Sequence, residues 1–255
     1  MINTCHLDLV LYRGVSEFRA EANRSYLGII WWLMEPLLYV AVFYLVFALG
    51  FRRGGEDFVP YLLCGLVPWK RFDGTVRSAS TILSSSVGLM GQVYLPKVLL
   101  PLAVAVTNSL KFLIILAILM FFLTLLGAPW FSPALPWLLL VILTQLLLTL
   151  AIGGLAAALV PLLPDLRYVV NYGMTMLFFM SGIFFSLSDL SPEAQAYLQF
   201  NPVLHVIDAY RAVLLHAQQP DLQVLGVIVL ASAALLAVVA LLFHRFDRLY
   251  PRIIG

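Results

Sequence analysis

Charge is what this sequence has least of. Only 11% of its 255 residues are Asp, Glu, Lys or Arg and 62% are hydrophobic, whereas soluble chains carry roughly 25% charged residues. That excludes an ordinary soluble domain. Cysteine is almost missing as well. Cys5 and Cys64 fit neither a disulfide framework nor a zinc spacing, and both read as small apolar fillers. No G-x-x-x-x-G-K-S/T occurs, so the chain has no phosphate-cradling loop and is no ATPase by itself. An intramembrane aspartyl protease needs two Asp residues in spans, and only Asp73 qualifies. His6, His205, His216 and His244 all fall in non-spanning segments, which removes the buried Ser–His pair of a serine protease. A cleavable signal peptide is not expected, because Asp8, Arg13, Glu17, Arg19, Glu21 and Arg24 stand where its apolar region would be.

What the chain does have is long apolar runs. Five windows, about 28–50, 99–126, 134–160, 169–187 and 222–243, reach the ~20 residues needed to cross a ~30 Å hydrocarbon core. Glu35 and Lys111 alone break them with charge, and each reads as a snorkelling or paired side chain. Residues 7–24 form an amphipathic pattern, with Leu7, Val10, Leu11, Val15, Phe18 and Ala22 at helical spacing. Such a helix suits the membrane interface.

The sixth span is the problem. The run 58–69 is twelve residues, about 18 Å of helix, too short to cross. Yet Arg13, Arg19 and Arg24 near one end and Arg245, Arg248 and Arg252 near the other ask for both ends in the cytoplasm. An even number of spans follows. The segment from Phe58 must therefore run on to about residue 86, taking Lys70, Arg71, Asp73 and Arg77 to membrane depth. Lys70, Asp73, Arg77, Ser80, Thr81, Ser84 and Gly88 share one helical face; Phe72, Val76, Ala79, Leu83 and Val87 share another. Intramembrane charges face a bundle interior or a water-filled path. Lys70, Asp73, Arg77, Ser80 and Ser84 are thus the candidate substrate path, with two cations against one anion and Arg71 adding a third cation nearby. The alternative is a charged cytoplasmic continuation outside the core.

Ser191-Pro192 and Asn201-Pro202 each pair an N-cap with Pro at the first helical position. They predict short helices over 192–199 and 202–216, two re-entrant half-helices at the outer face. His205, Asp208 and Arg211 recur there at three-residue spacing, with a local Asp208–Arg211 pair expected. The fold class is all-α integral membrane: an interfacial helix, six spans at about 28–50, 58–86, 99–126, 134–160, 169–187 and 222–243, both ends inside, and the half-helices of 192–216 before the last span.

Four blocks then look familiar. "FRAEANRSYLGIIWWLMEPLLY" (18–39) resembles the entry of the ABC transporter type-2 transmembrane domain, through Leu27, Gly28, Trp31 and Pro36. "CGLVPW" (64–69) is similar to that family's second-span signature. "GLMGQVYLPKVLLPLAV" (88–104) resembles its cytoplasmic connection, with Pro96 and Pro101. "NPVLHVIDAYRAVLL" (201–215) resembles the motif before its last span. The blocks cover nearly the whole chain, as one transmembrane domain over 1–255. The compact size and "WWLMEP" are most similar to permeases exporting O-antigen and capsular polysaccharide; drug and teichoic-acid exporters share the same blocks. The family often has uncharged residues after its second-span Trp, and this chain departs from that with Lys70, Arg71, Asp73 and Arg77.

The resemblance implies a multi-pass protein of the bacterial inner membrane, among membrane lipids and without a nucleic-acid partner. It implies a homodimer working with two cytoplasmic ABC ATPase subunits that bind the ATP and Mg, this chain itself holding no cofactor or metal. It implies a polyprenyl-linked glycan passing between the two permeases. ATPase closure would press on the interfacial helix at Phe18 and Arg19, and on the connection at Leu89, Met90, Gln92, Tyr94 and Lys97. The 28 Tyr and Phe residues suit the C–H faces of sugars. A second class also fits the residues: an ion- or proton-coupled transporter without an ATPase, with Glu35, Asp73 and Lys111 as relay.

Overall fold

A backbone surrounded by apolar side chains must satisfy its N–H and C=O groups within its own segment, and helices do this. The computed structural model describes residues 4–24, 30–43, 45, 58–88, 96–126, 133–247 and 249–250. Among these there is no strand. The helices are α1 (Thr4–Arg24), α2 (Ile30–Phe43), α3 (Phe58–Ser85), α4 (Leu99–Leu125), α5 (Leu135–Leu159), α6 (Leu166–Met180), α7 (Pro192–Leu198), α8 (Pro202–Leu214) and α9 (Leu222–Phe246). By length and composition α4, α5 and α9 can each cross a membrane, with mean hydropathies of 2.2, 2.4 and 2.9. At 28 residues α3 reaches about 42 Å, and it continues unbroken through Pro68 and the charged stretch to Ser85.

Two buried clusters stack along the bundle. The larger holds Leu62, Leu66, Trp69, Phe72 and Val76 of α3 with Phe112 and Leu116 of α4, Val141 and Leu148 of α5, most of the buried face of α8, and Leu225 and Ile228 of α9. The smaller holds Ala79 and Leu83 of α3, Leu99, Leu100 and Ala103 of α4, Ala157 and Ala158 of α5, and Val239 and Phe243 of α9. Helices α3, α5 and α9 therefore run from the large cluster to the small one, and α4 runs back. Val10 of α1 and Tyr250 both join the small cluster. The described ends of the chain thus meet at one end of the bundle.

Three expectations change. The amphipathic helix starts at Thr4, earlier than the expected 7–24, and it packs on α4. Gly14 is buried against α4, where an added Cβ would stand 2.7 Å from Val106 Cγ1. Thr107 Oγ1 donates to the Gly14 carbonyl at 3.0 Å, and Lys111 pairs with Glu21. Contacts advance along both helices together, so α1 climbs the first three turns of α4.

The stretch 169–187 is not one helix. Helix α6 occupies 166–180, about 22 Å, and ends before Gly182, whose φ of +68° suits a residue without Cβ. The two half-helices also differ from each other. Ser191 and Asn201 do cap them, accepting from Ala194 N and Val203 N. But α8 is deeply packed between α3 and α5, whereas α7 has no buried residue and rides on the surface.

Candidate functional site

Helix α3 separates two polar environments. Its apolar stripe, Phe72, Val76, Ala79 and Leu83, is at most 1% exposed, which fixes its rotation and turns Lys70, Asp73 and Arg77 toward α2 and α6. Lys70 Nζ donates to Glu35 Oε1 at 2.6 Å and stands 4.3 Å from the centre of the Tyr39 ring. Arg77 Nε donates to Asp73 Oδ1 at 2.7 Å, one helical turn away. Its two terminal nitrogens donate to Asn171 Oδ1 and Thr175 Oγ1 of α6, at 3.0 and 3.3 Å. These side chains remain open: Glu35 is 50% exposed, Arg77 33% and Lys70 21%. The face is open and charged, and among the described residues Lys70 and Arg77 are matched by Glu35 and Asp73.

Three sequence expectations are corrected here. The two cations do not outnumber their anions, because Glu35 from α2 closes the count. Ser80 is 1% exposed and donates to the Arg77 carbonyl, so it leaves the open face, while Ser84 stays exposed. Arg71 points the other way. It is 5% exposed among Ser109 Oγ (3.1 Å), Gln145 Oε1 (3.4 Å) and the Ile142 carbonyl, with its guanidinium 4.7 Å from the Phe112 ring centre. Gln145 also accepts from Tyr210 Oη at 2.7 Å and donates to the Pro68 carbonyl at 2.7 Å. One α5 side chain thereby links α3, α5 and α8.

Helix α6 supplies what the sequence reading passed over. Tyr168, Tyr172, Thr175 and Phe179 fall at i, i+4, i+7 and i+11, one stripe of a helix. The three rings are 55%, 68% and 58% exposed. Met174 alone of this helix is buried. The aromatic row therefore flanks the Arg77–Thr175 contact and belongs to the open face. The spacing was there to be read as a second amphipathic pattern inside an apolar window.

The outer group forms as a pair with a staple. Arg211 donates to Asp208 Oδ1 at 3.1 Å, as expected, and also to the carbonyls of Gly182 (2.8 Å) and Ile183 (3.0 Å), over the Tyr61 ring at 3.5 Å. At 3% exposed, it ties α8 to the chain leaving α6. His205 shares a hydrogen bond with the Gln199 carbonyl at 2.7 Å.

At the opposite end, Leu89, Met90, Gln92 and Tyr94 lie outside the described residues. Lys97 is 2% exposed, with its backbone N–H on Asp247 Oδ1 at 3.1 Å and its Nζ 4.0 Å from Oδ2. Its side chain thus belongs to the packed end of the bundle and not to an exposed docking surface. Phe18 packs on Trp32 at 5.1 Å between ring centres, and Arg19 is exposed. Tyr250 donates to the Ala158 carbonyl at 3.0 Å. Burial, aided by the neighbouring Asp247 carboxylate, pushes its hydroxyl up to about 12.

The sequence profile of ABC-2 type transporters matches residues 15–215, most of the helices that build this arrangement. The chain belongs to the ABC-2 type transporter family. This ABC-2 type protein is 28% identical over 245 residues to the O-antigen export system permease protein RfbA of Myxococcus xanthus, covering 93% of the chain and 94% of that relative. It is 24% identical over 208 residues to RfbA of Klebsiella pneumoniae, covering 80% and 79%. It is 25% identical over 202 residues to the polysialic acid transport protein KpsM of Escherichia coli, covering 76% of each. The ABC-2 type relatives are thus matched along most of their own length.

Proposed function

We propose that this chain is the permease of an ATP-driven exporter that carries lipid-linked polysaccharide, of O-antigen or capsule type, out across the bacterial inner membrane. In this reading it crosses six times with both ends inside, pairs with a second copy, and works with two cytoplasmic ABC ATPase subunits that bind ATP and Mg. The glycan, held on a polyprenyl diphosphate, travels along the face of α2, α3 and α6.

One observation carries the reading. A chain this apolar keeps a polar, charged row of Glu35, Lys70, Asp73, Arg77, Asn171 and Thr175 open on one side, beside three exposed rings. Groups of this kind are costly at membrane depth and mark transport paths. The combination also suits carbohydrate, because ring faces meet sugar C–H groups while planar polar side chains meet hydroxyls. Relatives matched over most of the chain are named for polysaccharide export. A proton relay gains little support, since Glu35, Asp73 and Lys111 sit in three separate ion pairs.

The deciding experiment is deletion of the gene in its host. Loss of surface glycan with accumulation of the lipid-linked polymer inside the cell is expected. Unchanged surface glycan would reject the reading. The purified chain alone is expected to hydrolyse no ATP until its ATPase is added.

A further inference from the structure

We propose that the glycan carried along this face is uncharged in its repeat units, a neutral polysaccharide and not an acidic one. The inference rests on the reading that the face of α2, α3 and α6 is the path, and it adds the substrate class. Family membership does not decide the point, because the relatives include one named for O-antigen and one named for polysialic acid.

Among the described residues, both α3 cations of the open face have their own carboxylates: Lys70 has Glu35 at 2.6 Å and Arg77 has Asp73 at 2.7 Å. The terminal nitrogens of Arg77 are also engaged, by Asn171 and Thr175. Arg71, which would tip the balance, is turned to the other side of α3 and enclosed by Ser109, Gln145 and Phe112. Near the start of α6, exposed Arg167 lies over the Tyr168 ring at 5.4 Å without an ion pair, and exposed Asp165 in the same crevice offsets its charge, so the described cations and carboxylates of the face are equal in number.

An acidic repeat brings a charge with every unit and would give up water on this face without meeting a net excess of cations, and an uncompensated charge in a confined place is expensive. Glu35 and Asp73 would also repel it. For hydroxyls the same groups are well suited. Each carboxylate is engaged through a single oxygen, so the other can accept from a sugar, and Tyr168, Tyr172 and Phe179 offer ring faces.

The test uses the permease with its ATPase in proteoliposomes and two probes: a polyprenyl-diphosphate-linked oligosaccharide of neutral hexoses, and one of equal length with a hexuronic acid in every repeat. The diphosphate is common to both, so its contacts cancel. Wild-type protein is expected to move the neutral probe at least tenfold faster. Glu35→Gln and Asp73→Asn each strip a cation of its partner, and are expected to pull the ratio toward one by raising the acidic rate. Equal rates in the wild type, or faster export of the acidic probe, would overturn the inference while leaving polysaccharide export intact. Transport of neither probe, with ATP still hydrolysed, would overturn both.

Discussion

Glu35 and Lys70, thirty-five residues apart in sequence, meet at 2.6 Å and join α2 to α3. Glu35 is half-exposed, so the pair resembles a surface bridge in its solvation, and such bridges contribute about 0.2–1 kcal/mol. A double-mutant cycle with Glu35→Gln and Lys70→Met, read by thermal unfolding in detergent, is expected to return a coupling in that range. Strictly additive effects would show that the two side chains act independently.

Arg211 and Arg71 are both buried, and their removal should differ. Arg211→Met strands the carbonyls of Gly182 and Ile183 and leaves Asp208 without its partner. A loss of about 3 kcal/mol or more is expected, seen as poor folded yield. Arg71 touches neutral oxygens and a ring, with no carboxylate among its contacts. Arg71→Met is expected to change stability by less than about 1 kcal/mol, since the desolvation cost leaves with the charge. Equal damage from both would refute the distinction.

Lys97 stands at the start of α4 with Asp247 beside it. Lys97→Glu should lower the amount of folded protein, and the exchange Lys97→Glu with Asp247→Lys should restore most of it. Size-exclusion profiles of the single and double variants provide the check. A well-folded single variant lacking export would instead assign Lys97 to the ATPase contact.

Tyr250 should give the folded state an alkaline limit. Its hydroxyl is neutral while it donates to Ala158, and its folded-state value is raised to about 12 from the ordinary tyrosine value. A raised value means stability present below the unfolded value, near pH 10, and lost as pH rises toward 12. Thermal midpoints of the wild type should fall across that window. Tyr250→Phe, with nothing to titrate, should start lower and fall less, and a parallel decline would remove Tyr250 as the cause.

Accessibility along α3 should follow its observed rotation. Single cysteines at 70, 73, 77 and 84, with Cys5 and Cys64 replaced, are expected to react with a water-soluble thiol reagent. Those at 72, 76, 79, 80 and 83 are expected to be protected, because Phe72, Val76, Ala79, Ser80 and Leu83 are all at most 1% exposed. Uniform reaction would make the stretch a solvent-exposed continuation.

Much of the architecture was legible because it depends on local pattern. Apolar periodicity located α1, sustained apolar windows located the long helices, and Ser191-Pro192 and Asn201-Pro202 located α7 and α8 through their caps. The end of α6 was misjudged because "MSGIFFSL" stays apolar after the helix stops. Hydropathy does not register a glycine at φ +68°.

The sequence alone determined that this chain is a helical membrane protein, that α3 runs through its charges, and that Asp73 faces Arg77 and Asp208 faces Arg211, because contacts three or four residues apart follow from helical geometry. The tertiary structure decided what lies across from each face. It brought Glu35 to Lys70, enclosed Arg71 among Ser109 and Gln145, held Lys97 against Asp247 and laid the rings of α6 beside Arg77. Net charge on a face is a sum over several helices, and their rotation and neighbours are set by packing, which a helical period by itself does not specify.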